Sequence, residues 1–200
     1  MHTDLIALDA IAVRETVRLA AGLTADDLER PTPCAGWDLR MLLTHMTVQH
    51  RGFAASASGQ GADLSLWDLP PAEEISDPVR GYAASAELVL AAFSVPGVLD
   101  REFALPEIST SRTFPGRVAI AFHLVDYVVH GWDVATAAGL PFALPEAVVA
   151  AALPIARAVP DGPDRLAPGA AFAPALPVPP AADPLSEILL LLGRKTVGGS

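Results

Sequence analysis

The sequence predicts a mainly α-helical protein: a four-helix bundle with a short extended segment and a proline-rich C-terminal wrap. Three observations carry this. Apolar residues recur at helical spacing through most of the first 140 residues. Most of these stretches start beside a capping residue and stop near glycine or proline. Eleven of the nineteen prolines fall between Pro141 and Pro184, where the chain must run largely as coil.

The elements follow in order. Over residues 4–21, Leu5, Leu8, Ile11 (or Ala12), Val17 and Leu19 mark one helical face, with Thr3 as the expected N-cap. Residues 22–37 hold Thr24, Pro31, Pro33 and Gly36, a connector with room for one short turn of helix. Asp38 caps a second helix that runs to about Ala57. Asp77-Pro78 opens a third, pairing a capping acid with proline in the first turn, and Pro96-Gly97 closes it. Residues 98–115 are short, poorly periodic and bounded by turn residues, which predicts a strand or hairpin. A fourth helix fills residues 115–138 and stops at Gly139. Leu144-Pro145-Glu146 begins a fifth, and Asp183-Pro184 starts a last short one whose run Ile188 to Leu192 docks on the bundle. Gly198-Gly199-Ser200 is expected to fray.

Composition narrows the function classes. With 52% hydrophobic and 18% charged residues, global disorder is excluded. The chain carries 13 basic and 23 acidic residues, a net charge of −10, and has no basic cluster of the kind that nucleic-acid phosphates require. Its apolar runs are far shorter than the roughly 20 residues that cross a bilayer. The opening residues lack the basic start of a secretory signal, so a cytoplasmic protein is expected. One cysteine, Cys34, leaves no internal disulfide and no multi-cysteine metal site. Neither a Gly-rich nucleotide loop nor a Gly-x-Ser-x-Gly elbow occurs.

The fourth helix carries the chemistry. At about 100° per residue, His123, Asp126, His130 and Asp133 fall within a sector of about 80°. The rest of the helix is apolar or small, including Ile120, Phe122, Leu124, Val128 and Trp132. Such a helix is buried on its other sides, which predicts that the polar strip lines a cleft. Asp126 and His130 stand four apart and can converge on one ion; a carboxylate with an imidazole suits zinc or a similar divalent metal. A plain local ion pair is the competing reading of the same spacing. One helix supplies too few ligands. The second helix offers His45 and His50, and spacing alone does not choose between them. Cys34 reads as structural, Trp37 as a bundle anchor and Trp132 as core. Arg112, Arg117 and Arg194 read as solvated surface, with anion binding as the alternative.

Two motifs resemble a known family. Pro31-Thr32-Pro33-Cys34-Ala35-Gly36-Trp37-Asp38 with Leu42-Leu43-Thr44-His45-Met46 is similar to the opening motif of DinB/YfiT-like metal-binding four-helix bundles related to mycothiol-dependent maleylpyruvate isomerase. The run from His123 to Asp133 is similar to that family's second motif. Pro177-Val178-Pro179, Asp183-Pro184-Leu185 and Gly193-Arg194 resemble the tail of an actinobacterial branch. The resemblance implies a metal held by His45, Asp126 and His130 and demotes His50. It differs in one respect, since the isomerase pattern has glutamate where this chain has Asp126. Asp133 or His123 would orient His130 or move a proton.

The expected organisation is then a metal-binding bundle domain over residues 1–140, with residues 141–200 forming a helix and a proline-rich extension packed on it. The resemblance implies zinc (nickel in purified protein), mycothiol as co-substrate, and S-transfer to, or isomerisation of, a small electrophilic metabolite. Expected partners are a small-molecule substrate and a low-molecular-weight thiol, without nucleic acid or membrane, and a homodimer is the candidate assembly. A non-catalytic metal-binding bundle, or a cavity reused for another small molecule, are the alternatives.

Overall fold

A computed structural model describes residues 4–71, 75–167 and 170–195. Among these residues there are six helices, α1 (Leu5–Ala20), α2 (Leu39–Ala57), α3 (Pro78–Phe93), α4 (Gly116–Ala138), α5 (Glu146–Ala158) and α6 (Pro184–Leu191). The extended segment is a minimal hairpin: β1 (Glu102–Phe103) pairs antiparallel with β2 (Phe114–Pro115). Short 3₁₀ turns occupy Asp27–Glu29, Leu64–Leu66, Val98–Asp100 and Pro163–Leu166. No helix among the described residues is long and apolar enough to cross a membrane.

Local chemistry explains the boundaries. The Asp38 carboxylate accepts from Met41 N at 2.8 Å, Asp77 from Arg80 N at 3.0 Å, and Asp183 from Leu185 N and Ser186 N. Each satisfies donors that the first turn leaves orphaned. At α1 the cap is Asp4, which accepts from Ala7 N at 3.2 Å; Thr3 and the closing Gly198-Gly199-Ser200 lie outside the described residues. Gly139 ends α4 at φ +70°, the left-handed conformation that glycine adopts without strain.

Helices α1 to α4 form a ring in which α1 touches α3 and α4, and α2 touches the same two from the other side. Close approach of α1 to α4 needs Gly131, because a Cβ there would meet the Phe142 ring at 2.9 Å and the Thr16 methyl at 3.2 Å. The main core joins Leu8, Val13 and Leu19 of α1, Leu42 and Met46 of α2, Leu124 and Val128 of α4, Val148 of α5 and Ile188 of α6. Helix α5 packs on α4 and α1, and α6 packs on α5. A second cluster around Phe53, Trp67, Phe93, Phe103 and Phe114 lies where the hairpin meets the bundle.

Of the two residues that the α1 periodicity left open, the structure takes Ala12 inward. In α1, Ala12 is buried and Ile11 is 37% exposed, because the inward face also takes Asp9 and Thr16, both wholly buried.

The prolines of the C-terminal segment do not leave it loose. Arg165, buried among carbonyls, donates to Pro160 O, Val159 O, Ala173 O and Leu191 O. It thereby ties the coil before α6 to the end of α6 itself. Five donors on one planar group suit it to that task.

Candidate metal centre

The two motifs meet across the bundle. Asp38 starts α2 so that His45 lies two turns in, and α4 brings Asp126 and His130 alongside it. One donor atom from each of His45, Asp126 and His130 lies within 4.8 Å of the other two. The His45 and His130 rings are edge to face, with centroids 5.4 Å apart. Trp37 stands against the outer side of His45 at 4.8 Å between ring centroids. His50 is not part of the group.

The spacing is compatible with an ion site as well as with a local ion pair. His130 Nε2 is 3.4 Å from Asp126 Oδ1, long for a charge-assisted hydrogen bond, which closes to about 2.7–2.9 Å. Ligands at about 2.0–2.1 Å around a tetrahedral zinc stand about 3.4 Å from one another. The donor set, two imidazoles and a carboxylate, is one that zinc accepts while keeping a fourth position open. The residues therefore fit the ion.

Protonation separates the two histidines, and a metal at His130 would have to displace a proton. Burial brings His45 down to about 4, with the charge of His130 adding to the effect and Asp126 opposing it. His45 is thus a neutral imidazole at neutral pH. For His130, burial pushes the pKa down, but Asp126, Asp133 and Cys34 outweigh it and hold it well above the usual value. His130 Nδ1–H donates to Asp133 Oδ2 at 3.0 Å. Because a carboxylate only accepts, that bond leaves Nε2 as the atom facing Asp126.

Asp133 is wholly buried and held in turn. Arg194, 6% exposed, donates from its side-chain nitrogens to both Asp133 oxygens at 2.9 to 3.2 Å and reaches Cys34 Sγ at 3.2 Å. The Cys34 thiol donates to Asp133 Oδ2 at 3.2 Å and lies 3.9 Å from His130 Nδ1. Burial alone would raise the Asp133 carboxyl; His130 and Arg194 together hold it below the usual range. Cys34, His130 and Asp133 form a second group with metal-ligand spacing. The guanidinium already occupies its carboxylate and its sulfur, and a dication there would face a fixed positive charge. Among the described residues no guanidinium hydrogen-bonds to the donor atoms of the His45 group, although His130 is common to both.

Several expectations need correcting. Arg194 is neither solvated nor facing an anion site; it is an internal clamp joining the end of the described chain to α4. The polar strip of α4 is not a cleft lining, since His123, His130 and Asp133 are interior and only Asp126, 25% exposed, reaches solvent. Of the two residues expected to steer His130, Asp133 bonds it, whereas His123 donates from Nδ1 to Asp9 Oδ1 at 2.7 Å. Trp132 is half-buried and borders a groove of about 310 Å³ with Phe142 and Leu189, away from the donor group. The Arg194 clamp has only one mark in the sequence, the Gly193-Arg194 dipeptide of the tail resemblance. Asp9 has none, because an acid in a helix reads as solvent-facing.

Comparisons with known proteins show the family. A family model described as the mycothiol maleylpyruvate isomerase N-terminal domain matches residues 10–135. Two uncharacterized proteins from two strains of Mycobacterium tuberculosis are each 30% identical over 179 residues, covering 88% of this chain and 90% of theirs. No solved structure matches. The matched span includes both motifs and runs from α1 to the last turn of α4, so the chain belongs to the mycothiol maleylpyruvate isomerase N-terminal domain family.

Proposed function

We propose that this protein is a divalent-metal enzyme, with zinc as the metal, that uses a low-molecular-weight thiol of the mycothiol type on a small electrophilic metabolite. The observation that carries this reading is the convergence of His45, Asp126 and His130 within 4.8 Å, on the two helices that hold the family's motifs. These three residues would hold the ion. When bound, it would supply Lewis acidity and lower the pKa of a thiol or water at its open position.

The chain's own residues have separate tasks. His45 offers a neutral nitrogen at neutral pH. Asp126 supplies an oxygen and one balancing negative charge, and its partial exposure makes it the solvent side of the group. Asp133 fixes the ring of His130 through Nδ1, and Arg194 fixes Asp133. Burial of His130 and Asp133 keeps water from competing for those bonds.

The test uses full-length protein purified without a histidine tag. Metal content near one ion per chain, together with metal-dependent consumption of a thiol by an electrophile such as a maleyl compound, supports the reading. Stoichiometric metal without turnover would turn the assignment to a non-catalytic metal-binding bundle. Absence of both would refute it.

A further inference from the structure

Helix α3 supplies none of the donors, and its outward face is unusual for a surface helix. The exposed positions are Arg80, Ala84, Glu87, Leu88 and Ala91, so small or apolar side chains outnumber charged ones where water is the neighbour. Leu88 is 51% exposed. One exposed leucine needs no explanation, but its setting does. Seven residues earlier Gly81 stands inside the helix, where glycine is costlier than alanine. A Cβ on Gly81 would meet nothing within 4 Å. The chain's own packing therefore gives no reason for the missing side chain. Gly81 borders a hollow of about 210 Å³ between α2 and α3, together with Thr47, Ile75 and Pro78.

The same interval separates the two charges. Arg80 and Glu87 are also seven residues apart, two turns or about 10.5 Å along the axis. Neither makes an ion pair among the described residues. Positions seven apart share one side of a helix, so Gly81 and Leu88 line one edge of the outward face while Arg80 and Glu87 line the other. Ala84 lies between the two edges and midway along each pair. A second α3, antiparallel and related by a two-fold axis at Ala84, would set each member of a pair against the other member in the second copy. Leu88 would enter the hollow beside Gly81, and Arg80 would meet Glu87, each contact occurring twice. The small side chain of Ala84 lets the two backbones approach at the axis. Shape and charge, two unrelated properties, select the same register.

We propose that the outward face of α3 is a self-association surface, on which two copies of this chain pair through antiparallel α3 helices with Leu88 seated against Gly81 and Arg80 against Glu87. The metal donors lie on α2 and α4, so the pairing stands or falls apart from the metal reading. A helix of 16 residues is about 24 Å long and about 10 Å across. Its footprint is below the roughly 800 Å² per partner of a standard stable interface, so the dimer is a weak one.

The test is sedimentation equilibrium on the untagged full-length protein at low ionic strength. The parent should show a monomer–dimer equilibrium with a Kd of roughly 10–100 µM. Arg80→Glu and Glu87→Arg each bring like charges together twice and should weaken pairing by about tenfold. The double variant Arg80→Glu/Glu87→Arg restores opposite charges and should return to within about threefold of the parent. Leu88→Glu, and Gly81→Met, which fills the hollow, should weaken pairing by at least about tenfold while far-ultraviolet circular dichroism stays that of the parent. The charge swap separates lost pairing from lost folding, because a damaged helix is not repaired by a second reversal. A parent that stays monomeric to several hundred micromolar would overturn the proposal. So would a dimer indifferent to the single reversals, which must form through another face, or a double variant as weak as the single ones.

Discussion

Helices α2 and α4 face each other with two histidine pairs, and the pairs have opposite characters. His45 with His130, and His50 with His123, each have ring centroids 5.4 Å apart. In the first pair the rings are edge to face, Asp126 completes a set of converging donors, and solvent reaches that acid. In the second, both rings are stacked on Tyr127, at 4.4 Å for His50 and 4.2 Å for His123, and both residues are wholly buried. His50 Nδ1 pairs with Ser85 Oγ and His123 Nδ1 with Asp9 Oδ1, while Nε2 of each ring and Asp9 Oδ2 are without partners. What separates a site from a polar core layer is therefore the aim of Nε2 and access to it. Proximity of two imidazoles is not enough.

The largest expected effect breaks the comparison directly. His45→Ala should remove stoichiometric zinc binding, because two protein ligands do not hold the ion tightly. His50→Ala should leave affinity within a few-fold and instead destabilise the fold by about 2–4 kcal/mol, as expected for a cavity in the core. Competition with a chelator measures the first quantity and denaturant unfolding of metal-free protein the second. Equal loss of affinity in both variants would erase the distinction between the pairs.

Asp126 comes next. Asp126→Asn keeps the shape and an oxygen but deletes the charge, so affinity should fall by at least tenfold, about 1.4 kcal/mol. Asp126→Glu restores the acid of the isomerase pattern and should retain binding. A carboxylate that only hydrogen-bonded to His130 would not tolerate the added methylene. A Glu variant that binds no better than the Asn variant would contradict its role as ligand.

A smaller effect is expected from the clamp. Arg194→Met leaves the Asp133 carboxylate buried without its cation and loosens His130, and zinc affinity should drop by roughly 10–100-fold. Arg194→Lys should recover part of it, since one ammonium cannot bridge both Asp133 oxygens and Cys34. If Arg194→Met lowers stability while the folded protein keeps the parent affinity, the clamp serves the tail and not the donor group.

The smallest effect belongs to the buried pair. Burial, with the charge of His123 adding to it, holds the His50 pKa well below 6.5. The folded state thus keeps His50 neutral where the unfolded chain takes up a proton near pH 6.5. Its contribution to stability is present above that pH and is lost as pH falls, by about 1.4 kcal/mol per unit. His50→Gln, which can still bond Ser85, should flatten this acid limb in denaturant midpoints taken between about pH 7 and 5. An unchanged slope would mean that His50 is not the group responsible.

These contrasts also mark where the sequence could be read. The caps Asp38, Asp77 and Asp183 and the stop at Gly139 are local devices, so the helix boundaries were legible. The Asp126–His130 pair was legible because its spacing is that of one helix turn. His45 against His50 was not decidable from α2 alone, since both sides of that helix meet protein; the motif resemblance favoured His45. Arg194 reaches Cys34 across 160 residues and Asp133 across 61. No periodicity records such a contact. Asp9 and Thr16 were illegible for a related reason: the α1 face is set by how closely α4 approaches, and that distance depends on Gly131.

The central claim is that His45, Asp126 and His130 form the metal centre, and not Cys34, His130 and Asp133. Zinc-edge X-ray absorption on the untagged, thiol-free protein reads the choice directly. The account predicts nearest neighbours of nitrogen and oxygen alone at about 2.0–2.2 Å, with the outer scattering of two imidazoles. A sulfur neighbour at about 2.3 Å with a single imidazole would put the ion at Cys34 and contradict the account.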